Sequence, residues 1–166
     1  MFGIIAFFLI LIAFVLIIAS IPVSISVIAY LSRKSKRKKI FETLPKDVSY
    51  TASVRLNTAK KNDAVVKLKA FEFSGVLYLK DNIVYVEGTK GQKFEFDLKD
   101  SVITWPGIQV QNGAMQWFCI DNMKGQKLYV NAETGVFVFR LSSKMPSTRD
   151  IYQYLLAQQQ ITAIGN

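Results

Sequence analysis

The chain has 166 residues, a net charge of +9, no histidine and a single cysteine. Lacking histidine, it cannot build a Ser–His or Cys–His nucleophile pair or a Cys/His zinc site from its own residues. One cysteine makes no intramolecular disulfide, which suits a reducing compartment.

Residues 2–32 contain no charged side chain, and the next seven residues read RKSKRKK. A hydrocarbon core of about 30 Å needs roughly 20 helical residues, so the run is long enough to span a bilayer with turns to spare. Residues 1–32 are therefore expected to form a transmembrane helix. Pro22 is the expected kink, because it has no N–H and crowds the carbonyl one turn earlier. Ser20, Ser24 and Ser26 flank it with hydroxyls able to satisfy freed backbone groups. A cleaved signal peptide fits worse: no Lys or Arg precedes the run, and the run is too long for an h-region. Ala6, Ala13 and Ser20 recur every seven residues, and Ser20 and Ser24 form a small-xxx-small pair, a stripe suited to close helix–helix packing.

Residues 33–47 form a basic juxtamembrane segment. Arg33, Lys34, Lys36, Arg37, Lys38 and Lys39 account for six of the 21 Lys and Arg; the other 15 stand against 12 Asp and Glu, leaving only +3 for residues 40–166. The basicity therefore concerns the membrane and gives no nucleic-acid footprint. The six residues are expected to set topology and to meet anionic headgroups. The positive-inside rule puts the N-terminus outside and residues 33–166 in the cytoplasm of a single-pass cell-membrane protein. Tyr30 fits an interfacial ring on that side.

From residue 48 the periodicity changes from helical to two-residue alternation. Val48, Tyr50, Ala52, Val54 and Leu56 alternate with mostly polar neighbours and predict a strand. Residues 64–73 predict a second, after a polar turn. Residues 74–88 predict a hairpin turning at Lys80–Asp81–Asn82, and 93–98 another strand. Residues 101–105 and 108–111 predict two short strands separated by a Pro106–Gly107 corner. Asn112–Gly113 is a hairpin signal leading into 114–120, followed by 127–132 and 136–141. Ser147 and Asp150 predict a capping box for a helix over 147–160, with Ile151, Tyr152, Leu155 and Leu156 on its apolar face and Gln153 and Gln158–Gln160 turned away. Residues 161–166 read as a frayed tail. The expected fold is a single transmembrane helix plus a mainly-β domain over 48–166.

This order resembles the pleckstrin-homology-like superfold, and within it GRAM and bacterial PH-type domains. The residues that carry the resemblance are FSGVLYLKDNIVYVEG (73–88), KFEFDLKDSVITW (93–105), and GVFVFRLSS with the closing helix; it covers about 75–160. It implies an antiparallel sandwich or barrel closed by a C-terminal α-helix, and an adaptor role. Inositol-lipid recognition is not implied, because the hairpin at 73–88 offers only Lys80, beside Asp81.

No P-loop, GxGxxG or EF-hand pattern is present, and no catalytic residues, metal ligands or cofactor are expected. Glu95 and Asp97 alternate with Phe94, Phe96 and Leu98, which describes a solvated strand face. Cys119, within MQWFCI, reads as a small buried hydrophobe. Trp105 and Trp117 fit core packing by their periodicity and are the candidate partner-binding aromatics. The expected function is non-enzymatic: a protein-binding or scaffolding module in an accessory subunit of a larger membrane complex, with no small-molecule substrate. The alternative is a membrane-anchored lipid-binding or lipid-sensing protein.

Overall fold

The computed structural model describes residues 2–58, 70–109, 115–136 and 145–164, with the side chains of α1 described from residue 7 onward. The strand expected at 64–73 falls mostly outside the described residues. So do the Asn112–Gly113 hairpin, nearly all of the strand expected at 136–141, and the side chain of Ala6.

Helix α1 (Phe2–Thr43) is a single helix of 42 residues, about 60 Å long at 1.5 Å per residue. It runs unbroken through Pro22 and across the boundary between residues 32 and 33, so the apolar and basic segments are one rod. It is long and apolar enough to cross a membrane. Ser20 Oγ donates to Ile17 O and Ser26 Oγ to Pro22 O, each at 2.7 Å. The carbonyl that a proline at 22 leaves without its usual donor is that of Ile18, and neither hydroxyl lands on it. From Phe7 to Ile25 every residue is exposed, a stretch of about 30 Å that matches a hydrocarbon core.

Seven strands follow: β1 (Tyr50–Thr58), β2 (Phe73–Lys80), β3 (Ile83–Gly88), β4 (Lys93–Asp97), β5 (Val102–Gln109), β6 (Met115–Asp121) and β7 (Lys127–Ala132). They form one antiparallel sheet in the order β4-β3-β2-β1-β7-β6-β5. The chain is thus a meander whose first strand pairs with its last (Val54 opposite Ala132, Leu56 opposite Val130). The sheet curls into a half-barrel that is open between β4 and β5. The β2–β3 turn is the expected one: Asp81 and Asn82 both have positive φ (50° and 63°), the conformation a two-residue hairpin needs and one that Asp and Asn adopt readily. Gly75 permits a close approach in β2, since a Cβ there would lie 2.4 Å from the backbone oxygen of Glu87.

The two strands expected around Pro106 are one strand, β5, with a bulge between Thr104 and Gly107. Gly107 takes φ 75°, so the chain absorbs the proline without leaving its partner β6. Pro106 and the bulge also blunt this edge against pairing with another chain.

The core lies inside the curl. Val54, Leu56, Leu77, Leu79, Val84, Val86, Phe96, Phe118, Ile120, Leu128 and Val130 are buried there with Ile151 and Leu155. The last two belong to helix α2 (Thr148–Ile164), which packs on β5, β6 and β7. The capping box forms as expected: Ser147 N donates to Asp150 Oδ2 at 2.8 Å and Asp150 N to Ser147 Oγ at 3.2 Å. The helix continues to Ile164, past the expected end at residue 160. Gln159 does not face solvent as expected; its Nε2 donates to the carbonyls of Leu98 and Ser101, each at 2.7 Å, tying α2 across the β4–β5 opening.

Tyr50, at the start of β1, stacks on Tyr154 of α2 with ring centroids 4.2 Å apart. Its hydroxyl is buried without a hydrogen-bond partner among the described residues. Burial first, then the charge of Asp150, pushes the phenol up to about 12. A folded-state value above the unfolded one near 10 gives stability that is present below pH 10 and lost as pH rises toward 12. Tyr50→Phe is therefore expected to leave stability at pH 7 unchanged or higher and to flatten part of that alkaline loss, read by denaturant unfolding at pH 8 and pH 11. A variant that falls as steeply as the parent would show that this phenol does not contribute.

Candidate functional site

Alternation along β1, β2 and β7 sends Val54, Leu56, Phe73 and Ala132 into the core and Arg55, Ser74, Asn131 and Glu133 to the opposite face. Arg55 sits directly across from Ser74 on β2 and from Asn131 on β7. A curled sheet normally offers such a face to water. Here all four residues are buried, and the C-terminal half of α1 lies against this face.

The helix meets the sheet with one stripe. Beyond Ser26, the buried or half-buried positions of α1 are Ala29, Tyr30, Arg33, Arg37 and Ile40, and from Tyr30 onward they follow the three-to-four-residue spacing that places side chains on one helix face. Two of the five are arginines, and both end on one carboxylate. Arg33 Nε donates to Glu133 Oε1 at 3.0 Å. Arg37 Nη1 donates to Glu133 Oε2 and to Ser74 Oγ at 2.7 Å, and Ser74 Oγ in turn donates to Glu133 Oε2, also at 2.7 Å. Arg55 Nε stands 3.9 Å from Glu133 Oε1, and its Nη2 donates to Gly135 O at 2.7 Å. Phe71 lies between two of these cations, its ring centroid 5.2 Å from Arg33 and 5.4 Å from Arg55, a distance at which the ring face attracts a guanidinium.

Glu133 is 2 % exposed, and Arg37 and Arg55 are 3 % exposed each. Burial, together with the like charges of Arg33 and Arg37, draws Arg55 below its usual value, against the opposing pull of Glu133. The planar guanidinium suits this site, because it spreads its donors over several acceptors in fixed geometry where an ammonium cannot.

Two clefts flank α1 where it crosses the sheet. One, of about 470 Å³, is lined by Tyr30, Leu31, Lys34, Arg37, Phe41 and Met145 among others. The other, of about 210 Å³, is lined by residues including Arg33, Lys36, Phe71, Glu72 and Lys90.

The six basic residues of 33–39 thus divide. Arg33 and Arg37 turn inward to Glu133, Arg37 along the wall of the larger cleft. Lys34, Lys36, Lys38 and Lys39 stay exposed, with Lys38 3.8 Å from Glu42. Tyr30, expected as an interfacial ring, is buried under Arg37. Ala13, Ser20 and Ser24 lie on the exposed part of α1. Trp117 is fully buried on the sheet face opposite Phe118. Trp105 packs against Tyr152 of α2 with centroids 5.0 Å apart. Glu133, Arg55 and Ser74 were not singled out from the sequence. The available signal was helical: 30, 33, 37 and 40 fall on one face, and an arginine pair on an otherwise apolar stripe calls for a buried acid.

No group of three or more His, Cys, Asp or Glu side chains able to hold a metal occurs among the described residues. Glu95 and Asp97 are exposed on β4. Asp97 Oδ1 accepts from Lys99 N, closing its own turn. Cys119 is buried, and that burial pushes its thiol up, away from the thiolate a nucleophile needs. Comparison with protein-family models, with curated proteins and with solved structures finds no match to this chain.

Proposed function

We propose that this is a non-enzymatic single-pass membrane protein whose cytoplasmic β-domain is a protein-binding scaffold, an accessory subunit of a larger membrane complex. The observation that carries this reading is the Arg33–Arg37–Glu133 junction. A flexible linker would let a soluble domain roam; a buried ion cluster on a continuous helix instead holds the half-barrel in one pose at the bilayer surface. That arrangement suits a platform that presents a fixed surface to a neighbour in the membrane. The exposed stretch Phe7–Ile25 supports insertion, and the basic residues that follow it support a cytoplasmic domain by the positive-inside rule.

The meander order supports a pleckstrin-homology-like identity: seven antiparallel strands joined first to last, open between β4 and β5, and capped by a C-terminal helix. On this reading the opening strand is Tyr50–Thr58, upstream of the hairpin at 73–88. The basic-rimmed cleft beside α1 favours a lipid-binding role alongside the scaffold.

Extraction of the tagged full chain in mild detergent is expected to bring down a reproducible partner in fixed ratio. A solitary chain across several detergents would overturn the accessory-subunit reading. Protease added to intact cells is expected to leave the domain uncut; cleavage within residues 46–164 would reverse the orientation.

A further inference from the structure

We propose that the 470 Å³ cleft along α1 binds the phosphate headgroup of one anionic membrane phospholipid, with Arg37 and Lys34 as its donors. Its position comes first. Tyr30 and Leu31 form the last turn of the charge-free run, Lys34, Ser35, Arg37 and Lys38 the next turns, and Phe41 the turn beyond. In a helix whose exposed apolar residues run from Phe7 to Leu31, these turns stand at the headgroup end of the span. The cleft therefore runs from an apolar mouth beside the acyl region to a cationic upper wall.

The second observation is Arg37. It is almost fully buried, yet only its Nη1 has partners, Ser74 and Glu133. Its Nε and Nη2 have none among the described residues, and the side chain lines this cleft. Glu133 also lines it, but both of its oxygens are engaged, Oε1 by Arg33 and Oε2 by Arg37 and Ser74. Two arginines on one carboxylate leave the wall cationic. A phosphate oxygen would complete the guanidinium fork, Lys34 would add a mobile cation, and Leu31 and Phe41 would flank the glycerol. The volume lies within the range of about 300–1,000 Å³ typical of ligand sites. The smaller cleft on the other side of the helix carries the carboxylate of Glu72 as well as its cations. Free phosphate shares the headgroup's chemistry, and the end of the membrane span is what favours the lipid.

The inference rests on α1 spanning the bilayer. A chain recovered in the soluble fraction fails that reading, whereas an inserted chain that retains no lipid fails this one alone. The test takes the full chain in mild non-ionic detergent, stripped of lipid. It is titrated with dioctanoyl phosphatidylglycerol, dioctanoyl phosphatidylcholine or inorganic phosphate, and bound molecules are counted by native mass spectrometry. One phosphatidylglycerol per chain is expected, with no phosphatidylcholine at the same concentration and no displacement by equimolar phosphate. Lys34→Ala/Lys38→Ala is expected to weaken binding by about thirtyfold. Lys36→Ala/Lys39→Ala removes equal charge outside this cleft and is expected to change it by less than about threefold. Equal retention of the two lipids, phosphate binding as tight as the lipid, or equal losses in the two double variants would each overturn the proposal.

Discussion

Glu133→Ala is expected to destabilise the folded domain by about 3–5 kcal/mol, because it strands buried cations without their counter-charge. Arg37 and Arg55 are each only 3 % exposed, so loss of the carboxylate leaves both poorly hydrated. Arg33 Nε, Arg37 Nη1 and the Ser74 hydroxyl lose their common acceptor together. The helix then has no fixed seat on the sheet. Two measurements check this on the full chain in detergent: denaturant unfolding followed by tryptophan fluorescence, and the rate of trypsin cleavage after Arg33–Lys39. Wild type is expected to resist cleavage there even in about 1 M salt, since buried pairs are screened far less than surface ones. The variant is expected to be cut quickly. Unchanged stability together with unchanged cleavage would mean that the junction does not hold the helix to the domain.

Leu155→Ala is expected to cost about 2–5 kcal/mol, the range for deleting a fully buried leucine side chain. Leu155 and Ile151 are the two completely buried side chains that α2 inserts into the curl, and Gln159 fastens the same helix to the β4–β5 corner. Removing the leucine leaves a void in the open side of the half-barrel, where no strand pairing can close over it. For a domain of about 120 residues this corresponds to a fall in Tm of roughly 10–25 °C. Ile161→Ala on the same helix is the control: Ile161 is 63 % exposed, and its loss is expected to stay within about 0.5 kcal/mol. Equal small effects from both would mean that α2 is not part of the core.

Local signals in the chain are strong wherever one residue pattern carries the whole instruction. The Asp81–Asn82 turn, the β4 alternation and the Ser147–Asp150 box each depend on a few neighbouring residues, and each forms as the sequence predicts. Pro106–Gly107 misled because a proline reads as a break, whereas an edge strand tolerates it through a bulge that keeps both halves on β6. Gln159 misled because glutamines on a helix read as solvent-facing. Only the closure of the sheet brings the carbonyls of Leu98 and Ser101 within reach. The candidate site was the least legible part. Arg33 and Arg37 lie in a run of six basic residues that reads as one electrostatic unit, and Glu133 lies about 100 positions away in a turn-like stretch.

The sequence by itself determined a helix long and apolar enough to cross a membrane, the confinement of most net charge to seven residues beyond it, a mainly-β domain, and a capped closing helix. These follow from composition and short-range periodicity, which act on each segment separately. Only the tertiary structure decided that the basic segment is divided. Two of its cations are folded inward as the seat of the domain, and four lysines remain outside. That division depends on which helix face meets the outer face of β1, β2 and β7. Burial there commits Arg33, Arg37 and Glu133, about 100 positions apart, to one another, which no count of charges along the chain contains.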